Sequence, residues 1–164
     1  MIGRCKNTFS ILTKAKDMLK RNNSLLLVII AGLFMMIACK KDKTDPIPYA
    51  YVNFVIYPNS TVWLELNTIG GYAYVNADPP SKGVIIYRSD VDEFTALERT
   101  CPHNPYDNCA SGPVKVEHGG SVAIDSCCMS RFLLLDGSVV QGPSAYPLRV
   151  YHTTYDGNAL RVYN

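Results

Sequence analysis

The chain lacks the excess of basic residues that nucleic-acid-binding proteins carry. Its 164 residues have a formal charge of +2, from 16 lysines and arginines against 14 acids. Six of these basic residues and one acid precede residue 39, so the remainder has ten basic and 13 acidic residues. A net charge of −3 after residue 38 gives no excess of positive charge with which to bind a polyanion such as a nucleic acid. Charged residues are few (18%) and hydrophobic ones many (48%), which excludes a disordered chain or a coiled coil.

The chain also lacks a hydrophobic run long enough to cross a bilayer, which takes about 20 apolar residues. Residues 24–38 form an uncharged run of fifteen that follows Lys20 and Arg21. This pattern predicts a signal peptide over residues 1–38, and a short uncleaved anchor is the alternative. The first 17 residues are unusually long for the charged start of a signal, so the true start could be Met1 or Met18. No twin-arginine pair precedes the run.

The end of the apolar run and the cysteine after it resemble a bacterial lipobox, Met-Ile-Ala-Cys at positions 36–39. We therefore expect Cys39 to be lipidated, and two or more acyl chains would hold the protein on a membrane. Residues 39–50 are charged and contain proline, which predicts a lipidated tether. The domain over 51–164 would then lie in the bacterial cell envelope, facing the periplasm or the exterior. That compartment permits disulfides.

No window after residue 50 has a helical hydrophobic period, and the sequence predicts short strands separated by turns. The predicted strands are residues 51–57, 61–66, 72–75, 84–87, 114–117, 121–124, 138–140, 148–151 and 160–163. This spacing favours an all-β fold, an antiparallel β sandwich or small barrels. No catalytic triad, phosphate-binding glycine loop or paired acids are present, so we expect a carrier or binding module rather than an enzyme.

Two predicted loops carry the chemically reactive residues. The first, residues 100–109, contains Cys101, His103 and Cys109; the second, residues 125–132, contains Asp125, Cys127 and Cys128. One predicted hairpin, residues 114–124, separates them. A Cys-x-His pair binds a metal only when another loop supplies further ligands, and the second loop could supply them.

The pattern that continues from these loops resembles the Rieske [2Fe-2S] domain over most of residues 51–164. That family has a first loop C-x-H, matched by Cys101-Pro102-His103, and a second loop C-x-x-H-G-S-x-F. A glycine-rich stretch ending in P-L follows in the family, and Gly137–Ser144 with Tyr146-Pro147-Leu148 match it. The resemblance implies a Rieske-like fold, a [2Fe-2S] cluster, single-electron transfer and a redox partner protein of unknown identity.

The second loop departs from the family pattern. Aligned on Ser130 and Phe132, Cys128 takes the place of the second histidine, Met129 that of the glycine and Asp125 that of the second ligand cysteine. Cys127 then falls where some Rieske proteins have a disulfide cysteine. Its implied partner is Cys109. The alternative register makes Cys127 the ligand and puts Ser130 in the histidine position.

Three outcomes stay open at this point. A cluster could be bound by Cys101, His103 and Cys128, with Asp125 or Cys127 as fourth ligand. A thiolate in place of an imidazole would lower the potential from the Rieske range towards about −400 mV. Alternatively, the fold could be cluster-free and stabilised by disulfides, or the same groups could bind zinc.

Overall fold

The computed structural model describes residues 45–107 and 112–164, and these residues are almost entirely β. Ten strands and one 3₁₀-helix are found in this part of the chain. In chain order the strands are β1 Asn53–Ile56, β2 Tyr72–Val75, β3 Val84–Arg88, β4 Phe94–Glu98, β5 Lys115–Val116, β6 Val122–Ile124, β7 Arg131–Leu133, β8 Val139–Gln141, β9 Val150–Tyr155 and β10 Leu160–Tyr163. They belong to one compact unit that extends from Thr44 to Asn164.

Six strands form an antiparallel sheet in the order β1-β10-β9-β4-β3-β2. Its inner strand β3 carries the continuous apolar run Val84-Ile85-Ile86, and all three residues are fully buried. Such a run is typical of a strand that is covered on both faces. Val84 and Ile86 belong to one hydrophobic cluster and Ile85 to another, so the sheet has a separate core on each face.

The second antiparallel sheet has four short strands in the order β5-β6-β7-β8. Its Phe132 and the adjacent Leu134 share a hydrophobic cluster with Ile85 and Leu97 of the larger sheet. Each of these four side chains is fully buried, and burying such a side chain stabilises the fold by about 1.5–3 kcal/mol. This cluster includes Cys101, so the candidate site adjoins the core between the two sheets.

The predicted all-β class with antiparallel sheets is confirmed, but one predicted strand is wrong. Residues Thr61–Asn67 form a 3₁₀-helix, interrupted at Trp63, instead of a strand over 61–66. The apolar residues of this segment do not alternate between core and solvent, because Val62 and Leu64 are both exposed and Leu66 alone is buried. The segment therefore contacts the core through Leu66 and the partly buried Trp63, and it has no strand partner.

Residues 45–50, predicted as the end of the tether, pack against the domain. Arg149 donates hydrogen bonds to the Asp45 carboxylate at 2.6 Å, to the Pro48 carbonyl at 2.8 Å and to the Ile47 carbonyl. Ile47 is 4% exposed, so its side chain adds to the core. Ordered contacts thus begin ahead of the predicted domain boundary at residue 51. The predicted signal peptide and Cys39 lie outside the described residues. Within the described ranges no helix is long and apolar enough to cross a membrane.

Candidate metal centre

The first loop begins just after β4, and Cys101 is one of its buried residues. The side chain of Cys101 is 6% exposed and packs within the cluster between the sheets. The backbone N–H of His103 donates a hydrogen bond to its sulfur. This bond holds the sulfur at the base of the loop, while the side chain of His103 is exposed.

A buried carboxylate fixes the start of this loop. Glu98, at the end of β4, is fully buried and accepts hydrogen bonds from the backbone N–H of Thr100 at 2.8 Å and its hydroxyl at 2.7 Å. Sequence reasoning missed Glu98. The signal that could have found it is the strand period, because Glu98 shares a face with the buried Phe94 and Ala96.

The second loop is wound around the carboxylate of Asp125. Asp125 Oδ1 accepts hydrogen bonds from the backbone N–H groups of Cys127 and Cys128, each at 2.8 Å. The main chain of Asp125 also bonds to Met129 and Ser130, which closes the turn. Met129 completes it with φ of +61°, the left-handed region that favours glycine. A glycine at this position would adopt the same conformation without strain.

Three of the predicted ligands meet between the two loops. One ligand atom from each of Cys101, Asp125 and Cys128 lies within 4.8 Å of the other two. The two sulfurs are 3.3 Å apart, and Cys128 Sγ also donates to the Ser130 hydroxyl at 3.2 Å. Asp125 and Cys101 are buried and Cys128 is half-buried, so the group faces a cavity rather than open solvent.

That cavity has a volume of about 250 Å³ and is open to solvent on one side. Besides the three converging residues, its wall includes His103, Lys82, Asn104, Asp107, Cys127 and Pro143. His103 therefore reaches the same cavity without joining the group of three. Lys82 Nζ donates to the Asp107 carbonyl at 2.6 Å and adds a positive charge beside the acidic and thiol groups.

Burial and hydrogen bonding act on the titration of these groups in different directions. Burial raises the pKa of Cys101 to about 12. The neighbouring Cys128 and Asp125 contribute to this rise, and the hydrogen bond from the His103 N–H offsets it only in part. Burial also raises the pKa of Asp125, but hydrogen bonds from the backbone N–H groups of Cys128 and Cys127 and from the thiols outweigh it. The net pKa of Asp125 is lowered. Without a metal the site therefore holds a carboxylate beside a protonated Cys101 thiol.

The remaining predicted residues lie elsewhere or outside the described part. Cys127 lines the cavity, is disulfide-bonded and is not one of the three converging ligands. Its predicted partner Cys109 lies outside the described residues, so the Cys109–Cys127 pairing stays a prediction. The geometry brings Asp125, and not Cys127, next to Cys101, as in the register aligned on Ser130 and Phe132.

The segment after β8 adds to the cavity wall that the two loops form. The buried Ser130 hydroxyl accepts a 2.9 Å hydrogen bond from the Ser144 backbone N–H. The Ser144 hydroxyl in turn donates to the Tyr146 carbonyl at 2.8 Å. These bonds hold Pro143 at the cavity wall. Ser130, used in the sequence only to fix the register, thus joins the second loop to the Gly-Pro-Ser segment.

The donor set is chemically that of a metal site. Two thiols, one carboxylate and a nearby imidazole are the side chains that bind zinc, and thiolates and imidazoles bind iron–sulfur clusters. The carboxylate is already oriented by two backbone N–H bonds on Oδ1, and the thiols of Cys101 and Cys128 also hydrogen-bond to it. Fixing a ligand through bonds to its other atoms is how proteins orient metal-binding groups.

Comparison with known proteins gives structural likenesses but no match to a protein family. No protein-family model matches the chain, and no curated protein matches it. The ferredoxin of carbazole 1,9a-dioxygenase from Nocardioides aromaticivorans IC177 is similar in structure, with a TM-score of 0.43 and 20% sequence identity. The match covers 70% of this chain and 98% of that ferredoxin.

Proposed function

We propose that this domain binds a [2Fe-2S] cluster between its two loops and transfers single electrons to or from a partner protein. The observation that carries the proposal is the convergence of Cys101, Asp125 and Cys128 within 4.8 Å on the wall of an open cavity. These groups come from two loops that the sequence matches to cluster-binding loops, and His103 of the first loop lines the same cavity.

The residues present fit such a group by their chemistry. Cys101, Cys128 and His103 are accepted cluster ligands, and Asp125 supplies the fourth donor. When bound, the cluster would supply one-electron chemistry. The protein's own contribution is to hold Cys101 at the edge of the core and Asp125 in a fixed orientation. Pro143 and the half-exposed Met129, on neighbouring loop tips, would form the surface that a redox partner contacts.

The ligand set makes the proposed carrier a poor electron acceptor. Cys128 stands where the family has a neutral imidazole, so a thiolate there adds negative charge that disfavours the reduced state. Asp125 in place of a cysteine keeps the charge at its own position unchanged. We expect a reduction potential below the Rieske range of about −150 to +300 mV. Lys82, on the cavity wall, opposes this change through its positive charge.

We further propose that the protein is a lipoprotein of the bacterial cell envelope, attached to the membrane by a lipidated Cys39. The support is the sequence alone: the apolar run over residues 24–38 and the lipobox-like residues that end in Cys39. Cys39→Ser should move the chain from the membrane to the soluble fraction and abolish incorporation of labelled fatty acid. Equal labelling of the wild type and this variant would contradict the anchor.

The cluster is tested by the iron and sulfide content of the full chain, purified anaerobically in detergent. We expect about two irons and two sulfides per chain, as the cluster's composition requires, with visible charge-transfer absorption. Cys101→Ser and Cys128→Ser should each abolish this absorption. Glu65→Gln, an exposed change away from the cavity, is the matched control and should leave it unchanged. Iron-free, colourless protein from an anaerobic preparation would overturn the proposal.

A cluster-free binding or structural module is the second candidate, and one observation favours it. Among the described residues, no buried side-chain nitrogen or oxygen lacks a hydrogen-bond partner. The site is thus satisfied without any metal, since Asp125 bonds to backbone N–H groups and Cys128 to Ser130. For this candidate, the same purification yields folded, colourless protein that still unfolds cooperatively.

A further inference from the structure

The two cysteines of the candidate site are close enough to react with each other. Cys101 Sγ and Cys128 Sγ lie 3.3 Å apart, although they are 27 residues apart in the chain. A disulfide has an S–S bond of about 2.05 Å, so the sulfurs need to approach by roughly 1.3 Å. Rotation of the two side chains would supply a movement of this size.

The two thiols differ in access to solvent. Cys101 is buried, whereas Cys128 is half-buried and both line the open cavity. An external disulfide that enters the cavity therefore meets Cys128 first. Cys101, directly behind it, is placed to displace the external group.

Closing this bond leaves the backbone hydrogen bonds of both neighbouring side chains in place. The carboxylate of Asp125 loses the thiol hydrogen bonds, but its Oδ1 keeps the backbone N–H bonds from Cys127 and Cys128 at 2.8 Å. The Ser130 hydroxyl loses the Cys128 thiol but keeps the Ser144 N–H at 2.9 Å. These two oxygens therefore add no penalty of the kind that an orphaned buried group imposes.

We propose that Cys101 and Cys128 form a reversible disulfide by exchange with an external disulfide, and that this bond closes the metal site. Cys128 attacks the external disulfide and releases one thiol, and Cys101 then displaces the second thiol from the mixed disulfide. The two cysteines together lose two electrons and two protons, which the external disulfide gains as two thiols. Formation of the disulfide itself is independent of the proposed function, while the closing of the metal site rests on it.

The pair would act as a redox switch on the candidate centre. A cysteine binds metal as a thiolate, and a disulfide sulfur is no longer available for this role. Oxidation removes two of the three converging ligands at once and leaves Asp125 and His103, which alone provide too few donors for a closed site. Metal binding and the disulfide are therefore mutually exclusive.

The disulfide is tested on the full chain in detergent, equilibrated in reduced or oxidised glutathione, alkylated and mapped after trypsin digestion. Peptides 100–115 and 116–131 carry all four loop cysteines. Oxidised glutathione should remove two alkylation sites, those of Cys101 and Cys128, without adding glutathione, and reduced glutathione should restore both. In Cys101→Ser and in Cys128→Ser the remaining thiol should instead stay alkylatable or carry one glutathione.

One further variant, with two substitutions, keeps the result unambiguous. Cys109→Ser with Cys127→Ser leaves Cys101 and Cys128 as the loop cysteines, so any bond between the two peptides must join them. Should this double variant fail to fold, the loss of two alkylation sites in the wild type decides the question. The proposal would be overturned if, in oxidised glutathione, Cys101 and Cys128 both stay alkylatable or each carry a glutathione.

The exclusion of metal is measured separately with zinc as the probe. Reduced wild-type protein should retain about one zinc per chain through gel filtration, and the oxidised protein should retain none. Equal zinc retention in both states would overturn the mutual exclusion. Reversible disulfide formation with no metal bound, neither zinc nor iron, in the reduced protein would refute the proposed function and leave the dithiol switch standing.

Discussion

The hydroxyl of Tyr151 on β9 donates a 2.6 Å hydrogen bond to the carboxylate of Glu98 on the neighbouring strand β4. The same carboxylate accepts bonds from the Ser81 hydroxyl at 2.6 Å, the Lys82 backbone N–H at 3.0 Å and both donors of Thr100. One fully buried group therefore joins β9, the turn before β3 and the start of the first loop. Its five hydrogen bonds make its burial tolerable, because an unpaired buried carboxylate is strongly destabilising.

Glu98→Gln should destabilise the domain although the two side chains have the same shape. One carboxylate oxygen becomes an amide NH₂, which cannot accept the hydrogen bonds that meet there, and bonds to a charged group are worth about 1.5–3 kcal/mol. We expect the free energy of unfolding to fall by about 2 kcal/mol, measured by urea denaturation. Glu65→Gln, on an exposed side chain, should change it by less than about 0.5 kcal/mol. Equal effects of the two variants would contradict a structural role for Glu98.

Tyr151 should make the stability sensitive to alkaline pH. Burial, together with the hydrogen bond to Glu98 and its charge, raises the pKa of Tyr151 in the folded protein. A raised pKa contributes stability that is present below the unfolded value of about 10 and is lost as the pH rises through the folded pKa. Between pH 9 and 11, urea midpoints of the wild type should therefore fall more steeply than those of Tyr151→Phe.

The control for this pH dependence is Tyr49→Phe. Tyr49 is 71% exposed, so this variant should follow the wild type across the same pH range. Parallel pH profiles for the wild type and Tyr151→Phe would show that Tyr151 does not govern the alkaline loss of stability.

The strands were predictable because burial in this fold follows local sequence. The run Val84-Ile85-Ile86 is covered on both faces, and the strand pairs lie where turn residues separate apolar segments. The 3₁₀-helix was not predictable. Its residues 61–66 have strand-like composition, and only the tertiary structure determines that Leu66 alone is buried.

The candidate site was predictable to the level of its loops but not of its atoms. The Cys-x-His and Cys-Cys segments indicate that two loops meet. Which groups converge depends on the turn around Asp125, where backbone N–H groups orient the carboxylate, and on the His103 side chain being exposed. Glu98 ends β4 three residues before Cys101, but it is not part of the ligand motif, and only the strand period points to it.

Met129→Gly should stabilise the second loop. Met129 has φ of +61°, and an L-residue in the left-handed region costs about 1–2 kcal/mol, from which glycine is exempt. Its side chain is 51% exposed, so little packing is lost on its removal. After the greater chain entropy of glycine is subtracted, the free energy of unfolding should rise by about 0.5–1 kcal/mol. Met129→Ala shortens the side chain without relieving the strain and should not stabilise. A gain of equal size in both variants would refute the backbone explanation.

Asp125→Cys combined with Cys128→His should keep about two irons per chain and raise the reduction potential of the domain. This double variant restores the C-x-H and C-x-x-H ligands of the family pattern at the two positions where the geometry places them beside Cys101. Replacing the Cys128 thiolate by a neutral imidazole favours the reduced state, so the potential should move into the range of about −150 to +300 mV. Iron and sulfide analysis with redox titration of the visible bands measures both.

Ser130→His, which completes the alternative register with Cys127 as ligand, is the matched comparison. This variant should bind less iron, because Ser130 is buried under Ser144. Higher iron in Ser130→His than in the double variant would reverse the assignment of Asp125 and Cys128 as ligand positions.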